Sequence, residues 1–128
     1  MPVTYEIDSS RQLLRTLASG LVTYRELELH VAEEEHDDAV GLAEVIDARG
    51  ATTDLTSGQV RGLVARTDAL VRKGRFGALA IVTDDDVAFG MARMYQLLCE
   101  TAQPVRIAVF RDLEPAMAWL RAVSSPPN

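Results

Sequence analysis

The first residues of the chain alternate between apolar and polar side chains. Val3, Tyr5 and Ile7 are separated by polar residues, and such a period of two is typical of a β-strand with one buried face. A second apolar run over 13–18 follows a short polar link and ends before Gly20. Two strands so close in sequence predict an antiparallel hairpin.

Beyond the hairpin, helical and strand-like patterns alternate along the chain. Helices are predicted from about Thr23 to the acidic run 33–38, over 60–71 with Gly74 as the stop, after 84–86, and from Asp112 and Pro115 onward. Apolar runs over 42–47, 77–83 and 105–110 predict the strands between them. The order β-β-α-β-α-β-α-β-α therefore predicts an α/β fold in which helices pack on a five-stranded mixed sheet, largely parallel after the hairpin.

Length and composition are those of one folded domain. The 128 residues include 48% hydrophobic and 25% charged side chains, which is ordinary globular usage. We expect a single domain over 1–123 and a short tail at 124–128. The formal net charge of −6 argues against nucleic acids and anionic membrane surfaces as partners.

The small numbers of cysteine and histidine residues limit the disulfides and metal sites that the chain can form. Cys99 is the only cysteine, so it forms no disulfide within the chain, and we find neither a secretory leader nor an apolar run near ~20 residues. A cytoplasmic protein without integral membrane association fits this pattern. One cysteine and two histidines give no clustered set of soft ligands, so we expect no metal site and no cofactor.

Three motifs carry a family resemblance. They are Val45-Ile46-Asp47-Ala48-Arg49, Leu79-Ala80-Ile81-Val82, and Val105-Arg106-Ile107-Ala108-Val109-Phe110 followed by Ala116-Met117-Ala118-Trp119-Leu120. In this order they resemble the SpoIIAA-like (STAS-like) family over 3–122, and the last strand and helix are the most specific part. The resemblance implies a small sheet with packed helices and a non-catalytic role.

The resemblance also implies two kinds of site. In anti-sigma-factor antagonists of the wider STAS family, a serine within Asp-Ser-Ser-Gly at a helix start is phosphorylated to control partner binding. The matching segment here reads Asp54-Leu55-Thr56-Ser57-Gly58, which departs from that pattern by an inserted Leu and a Thr. The likeness of the fold to lipid-exchange domains implies an apolar ligand instead.

The loop before the second predicted helix is the first candidate site. Free backbone N–H groups at a helix start favour anions, so this loop is predicted to hold a phosphorylation or anion site formed by Thr53, Asp54, Thr56 and Ser57. The alternative is that Thr56 or Asp54 serves only as the N-cap. The helix itself carries basic residues that form a candidate face for a partner protein: Arg61, Arg66 and Arg72.

The third predicted helix is the second candidate site, because its apolar residues occupy more than one face. Three interpretations are open: ordinary core, a pocket for a small apolar ligand, or a self-association face. The residues of the predicted pocket are Phe89, Met91, Met94, Tyr95 and Trp119.

Other polar residues have simpler interpretations. The acidic run 84–86 is expected to cap a helix rather than to bind a hard cation. A metal or acid/base role can be imagined for His30 and His36 beside the acidic residues 33–35, but both are expected to be solvated surface histidines. Cys99 is expected to be a buried or inert thiol. A phospho-acceptor receiver domain that would use Asp47 is disfavoured, since its acidic pair and its lysine are absent. No spacing suggests a catalytic triad, so no catalytic residues are predicted.

These patterns favour a non-enzymatic STAS-like binding or regulatory module. It would act by protein–protein interaction at the loop and helix after the third predicted strand, with another protein or a second copy of itself as the partner. The alternative is a carrier or sensor of a small apolar, lipid-like ligand held under the third predicted helix.

Overall fold

The computed structural model of the protein describes residues 3–37, 39 and 41–124. The strands are β1 (Val3–Asp8), β2 (Leu13–Ala18), β3 (Gly20–Val22), β4 (Ala43–Asp47), β5 (Ala51–Thr53), β6 (Leu79–Val82) and β7 (Ile107–Phe110). The helices are α1 (Tyr24–His36), α2 (Ser57–Arg72), α3 (Asp86–Ala102) and α4 (Leu113–Ser124). Of the tail predicted at 124–128, Ser124 ends α4 and the other residues lie outside the described ranges. No helix within those ranges is long and apolar enough to span a bilayer.

Five strands form one mixed sheet in the order β1-β2-β4-β6-β7. β1 and β2 form an antiparallel hairpin, while the pairs β2–β4, β4–β6 and β6–β7 are parallel. The helices α1, α2 and α3 join the members of these parallel pairs, as crossovers between parallel strands require. The predicted α/β fold with a five-stranded mixed sheet is confirmed.

Helices cover both faces of this sheet, because alternate residues of each strand point to opposite sides. One face carries α4 and a core cluster made of Leu13, Val45, Ala80, Val82, Ala116 and Leu120. The opposite face carries α1, α2 and α3, and its buried cluster contains Leu79, Cys99 and Ile107. Strands covered on both sides have to be apolar along their whole length, which explains the almost continuous apolar run of β6.

Two short strands, β3 and β5, pair in parallel and form a second sheet. The sequence analysis did not predict them, because each has three residues and begins at or just after a turn-forming glycine, Gly20 or Gly50. Both glycines adopt positive φ, 64° and 82°, which a residue with a Cβ rarely adopts. The pair brings Val22 and Ala51 into a third core cluster with Ala18.

Side-chain caps fix where α1, α2 and α3 begin, as the sequence predicted. Thr23 and Glu26 form a capping box at α1, and Thr56 and Gln59 form another at α2. Asp85 caps α3 by accepting a hydrogen bond from a backbone N–H at 2.9 Å. Each cap satisfies a donor that the first helical turn would otherwise leave without a partner.

The apolar run that contains β6 begins at Gly77, two residues before the strand itself. A Cβ on Gly77 would lie 2.5 Å from the carbonyl oxygen of Leu42 and 2.7 Å from that of Gly41. Both contacts are with backbone, so no side-chain rotation relieves them. The segment that leads into β6 therefore packs against the segment that leads into β4 only when residue 77 is glycine.

Gly77→Ala is expected to lower the free energy of unfolding by about 2 kcal/mol, because overpacking against backbone forces the two segments apart. Gly90 is the matched control, since it lies within α3 and a Cβ there meets no heavy atom within 4 Å. Gly90→Ala should instead stabilise the protein by up to about 1 kcal/mol, because glycine is unfavourable inside a helix. Urea denaturation measures both changes, and equal effects would contradict the packing argument.

Candidate functional site

A cavity of about 200 Å³ lies between the sheet and the helices α1, α2 and α3. Its walls are mostly apolar, and each of the four surrounding elements contributes to them. Representative lining residues are Ile46 and Ile81 of the sheet, Leu27 of α1, Leu63 of α2, and Met91 and Tyr95 of α3. Because apolar walls offer water few hydrogen bonds, such a cavity favours apolar atoms.

The cavity remains open because α1 and α2 make few contacts with each other and because small side chains of the strands and of α3 line it. Contacts across this gap include the Tyr24 side chain, whose hydroxyl lies 2.5 Å from where a Cβ on Gly62 would be, and the ion pair of Arg66 with Glu35 at 3.4 Å. Lining positions occupied by alanine leave the remaining volume unfilled: Ala18, Ala48, Ala51, Ala88 and Ala92. Larger residues at these positions would close the space.

One part of the cavity wall is polar and buried. His30 and Glu34 lie one turn apart on α1, and Glu44 faces them from β4. Nε2 of His30 contacts a carboxylate oxygen of Glu34 and lies 3.0 Å from Oε2 of Glu44. The hydroxyl of Thr16 on β2 donates a 2.6 Å hydrogen bond to the same Glu44 oxygen. We call these four residues the buried polar cluster.

Burial and hydrogen bonding act in opposite directions on the charges of this cluster. Burial disfavours the imidazolium of His30, but hydrogen bonds with Glu34 and Glu44 outweigh that cost and raise the pKa of His30. Burial also raises the pKa of Glu34, and the hydrogen bond with His30 opposes this shift only in part. Both groups therefore hold a proton more tightly than they would in water.

The structure corrects the interpretation of His30 as a solvated surface histidine. The residue is 6% exposed, and its ring packs edge-on against Tyr5 at a centroid distance of 5.4 Å. The neighbouring Leu29 is 42% exposed, so α1 turns a histidine inward and a leucine outward. Glu34 was expected on an acidic surface near His30, and Glu44 was not expected near either residue. The spacing of four residues between His30 and Glu34, which places both on one helix face, was the available signal.

The residues predicted to line an apolar pocket are divided between the two faces of the sheet. Met91 and Tyr95 line the cavity, whereas Trp119 belongs to α4 and packs on the opposite face. The guanidinium carbon of Arg111 lies 4.3 Å from the centroid of the Phe89 ring. Met94 is half-buried on α3. Because the sheet separates α3 from α4, Trp119 and Met91 do not share one pocket.

The loop before α2 places its candidate residues at different depths. Asp54, Thr56 and Ser57 are exposed, and the hydroxyl of Thr56 accepts a backbone N–H of the first turn at 3.1 Å. Thr53 is half-buried and donates its hydroxyl to a carbonyl oxygen of β3 at 2.9 Å. The role of Thr56 as N-cap is confirmed. Phosphorylation of the loop stays a prediction.

The three arginines of α2 differ in exposure and in the residues they contact. Arg61 and Arg72 are exposed, and Arg72 pairs within the helix with Asp68 at 3.0 Å. Arg66 is half-buried, lines the cavity and pairs with Glu35 of α1. Arg61 and Arg72 therefore lie on accessible surface, while Arg66 belongs to the gap between α1 and α2.

The other polar candidates make local contacts. Asp47, at the end of β4, pairs with Arg49 at 2.8 Å, and Asp85 of the acidic run caps α3. Cys99 is 4% exposed, and burial raises the pKa of its thiol to about 11. A thiol that keeps its proton at neutral pH is a poor nucleophile, which agrees with the interpretation of Cys99 as inert.

Comparisons with known proteins identify the fold. The chain is similar to the crystal structure of an uncharacterised protein of the DUF3478 family with a SpoIIAA-like fold from Shewanella loihica PV-4, with a TM-score of 0.58 and 18% identity. The likeness covers 92% of this chain and 91% of that chain. No protein-family profile and no curated protein matches the sequence. At this level of identity the likeness shows the fold alone, and the SpoIIAA-like architecture implied by the sequence motifs is confirmed.

His30→Ala is expected to lower the free energy of unfolding by about 3 kcal/mol, because it leaves the carboxylates of Glu34 and Glu44 buried without their shared partner. His36→Ala is the matched control, since His36 lies on the same helix and is exposed. It should change the stability by less than about 0.5 kcal/mol. Chemical denaturation at pH 7 compares the variants, and a small loss for His30→Ala would mean that the cluster contributes little to the fold.

Proposed function

We propose that this chain, whose fold is SpoIIAA-like, is a binding module that holds a small, mostly apolar molecule in the cavity between α1, α2, α3 and the sheet. The cavity is the observation that supports this proposal. Close packing leaves a domain few voids larger than a water molecule. The cavity is partly open to solvent, and its volume of about 200 Å³ compares with the ~150 Å³ of an enclosed engineered apolar cavity that binds benzene.

The free energy available to such a ligand comes mainly from removing its apolar surface from water. A molecule that buries on the order of 200 Å² of apolar surface would gain about 5 kcal/mol. Part of this gain is lost when the molecule gives up its translational and rotational freedom. We therefore expect weak to moderate affinity, which suits a carrier or a sensor that has to release its ligand.

The buried polar cluster gives the cavity two different ends. Apolar side chains surround most of the space, whereas His30, Glu34 and Glu44 line one part of the wall. Ligand sites commonly combine apolar walls with a few polar groups that fix the orientation of the ligand. An amphipathic molecule would place its polar group at the cluster and its apolar body beneath α3.

The ion pair between Arg66 and Glu35 supports access to the cavity from the side of α1 and α2. The two side chains are 35% and 42% exposed, and the pair spans the gap between the helices. Exposed ion pairs contribute at most about 1 kcal/mol. One contact across the gap is therefore an interaction that thermal motion breaks readily.

Ala92→Leu is expected to abolish binding of the small apolar probes p-xylene and indole, because the added carbon atoms occupy the cavity that Ala92 lines. The unmodified protein should melt several degrees higher at saturating probe concentration, since a ligand that binds only the folded state stabilises it by mass action. Thermal melting with each probe measures this effect. Ala65→Leu is the matched control, because Ala65 lies exposed on α2 and the substitution is the same.

Three outcomes distinguish binding in the cavity from binding elsewhere and from no binding. Melting shifts in the unmodified protein and in Ala65→Leu, but not in Ala92→Leu, support binding in the cavity. Equal shifts in all three proteins place the probes elsewhere, and no shift in the unmodified protein contradicts the proposal. Native mass spectrometry of the gently purified protein then identifies any small molecule that it carries.

A second candidate function is a regulatory contact with another protein at the start of α2. The observation in its favour is that Asp54, Thr56, Ser57 and Arg61 are all exposed there. A phosphoryl group at this position would lie near the free N–H groups and the positive end of the helix dipole. Binding of the partner would then depend on the modification state of Thr56 or Ser57.

Ser57→Glu is expected to change the affinity of a partner protein at least about tenfold if this contact is regulatory, since a carboxylate mimics part of the added charge. Ser124→Glu, at the end of α4, is a control for added surface charge elsewhere. Quantitative affinity purification followed by titration of the captured partner measures the change. An affinity that is the same for both variants and the unmodified protein would rule out the switch.

A further inference from the structure

Three metal-ligating side chains converge in the buried polar cluster. One ligand atom from each of His30, Glu34 and Glu44 lies within 4.8 Å of the others. Two of these residues are held by one helix at a spacing of four, which places them on the same face, and the third comes from the neighbouring strand β4. Secondary structure, rather than a loop, therefore fixes the positions of all three.

The cluster contains more hydrogen-bond acceptors than donors. Glu34 and Glu44 together present four carboxylate oxygens, whereas Nε2 of His30 and the hydroxyl of Thr16 supply one hydrogen each. The Thr16 hydroxyl donates to Oε2 of Glu44, and Nε2 of His30 lies close both to that oxygen and to a carboxylate oxygen of Glu34. A point at which buried lone pairs outnumber hydrogens in this way attracts a cation.

The imidazole of His30 also lacks a partner on its other side. The residue is only 6% exposed, and its Nδ1 atom forms no hydrogen bond within the described part of the chain. An unpaired buried ring nitrogen costs about 1–3 kcal/mol. The polar contacts of this ring are therefore those of Nε2, with the two carboxylates and with the Thr16 hydroxyl at 3.4 Å.

Charge balance is compatible with a doubly charged ion. Two carboxylates beside a neutral imidazole carry two negative charges, which protons on His30 and Glu34 can cancel when no metal is bound. A divalent cation cancels both and supplies each ligand with a short, strong contact. The donor set of one imidazole and two carboxylates suits transition metals such as Zn²⁺, Co²⁺ or Mn²⁺ better than Ca²⁺, which takes six or more oxygens.

We infer that His30, Glu34 and Glu44 bind one divalent transition-metal ion at the polar wall of the cavity. The 3.0 Å between Nε2 of His30 and Oε2 of Glu44 corresponds to two ligand atoms that each lie about 2.1 Å from a shared metal at an angle of about 90°, as in octahedral coordination. The closer contact of His30 with Glu34 would open to a similar separation. Three protein ligands leave at least one coordination position for water or for the molecule in the cavity.

This inference departs from the expectation of no metal site, in which His30 was assigned to a solvated acidic surface together with Glu33, Glu34 and Glu35. It does not depend on the proposed function, because metal binding can be measured without any apolar probe. The site and the cavity share a wall, so both proposals can hold together. Each can also fail alone.

The test is titration of the chelator-treated full chain with Zn²⁺ by isothermal calorimetry, and with Co²⁺ by visible absorption. We expect one ion per chain. Glu34→Gln and Glu44→Gln should each weaken binding at least about 100-fold, because loss even of groups that only orient a ligand costs 10- to 100-fold. His36→Ala and Glu35→Gln remove exposed residues of the same helix and should leave the affinity unchanged.

Circular dichroism establishes that each variant is folded before it is titrated. If Glu44→Gln does not fold, Glu34→Gln is used instead, together with the X-ray absorption spectrum of the Co²⁺-loaded protein. That spectrum is expected to show one imidazole among oxygen ligands. Absence of 1:1 binding up to millimolar metal overturns the inference. So does binding that Glu34→Gln leaves intact, or that His36→Ala removes.

Discussion

The burial of β4 and β6 between helices on both faces is the constraint on which the rest of this structure depends. Ala80 and Val82 of β6 have no exposed surface, and Val45 of β4 is 3% exposed. Such strands gain free energy only if apolar surface covers them on each side. The crossover helices α1, α2 and α3 supply it on one face and α4 supplies it on the other, which places the β1–β2 hairpin at the edge of the sheet.

The same constraint explains why polar groups collect at one place. The carboxylate of Glu44 leaves a central strand toward the side that α1, α2 and α3 cover, so its partners have to come from within the fold. His30 of α1 and Thr16 of β2 supply them. A fold that needed only stability would do as well with apolar residues here. The position of the cluster beside an apolar cavity suits a binding site in which a polar wall and apolar walls act together.

Local signals in the sequence were enough to predict most of the architecture. The capping residues Thr23 and Thr56 act through neighbours three positions away, and the apolar run of β6 reflects burial on both faces wherever the strand is placed. The hairpin followed from two patterned runs close together in sequence. The short pair β3–β5 was not predicted, because three residues are too few for a periodic pattern to show. The pairing also joins segments 31 residues apart, as the hydrogen bond from Thr53 to Val22 illustrates.

The candidate site depended on the tertiary structure. Leu29 and His30 are adjacent, and hydropathy alone would bury the leucine, yet packing of α1 on the sheet turns the histidine inward beside Glu44, 14 residues along the chain. Likewise the volume beside Ala92 exists only because α1 and α2 stand apart, which no property of either helix alone specifies. The sequence by itself determined which segments are helices and strands and how they begin, because those features rest on contacts between near neighbours. The cavity and its polar wall were decided by the spacing of whole elements, because their residues meet only after the sheet has assembled.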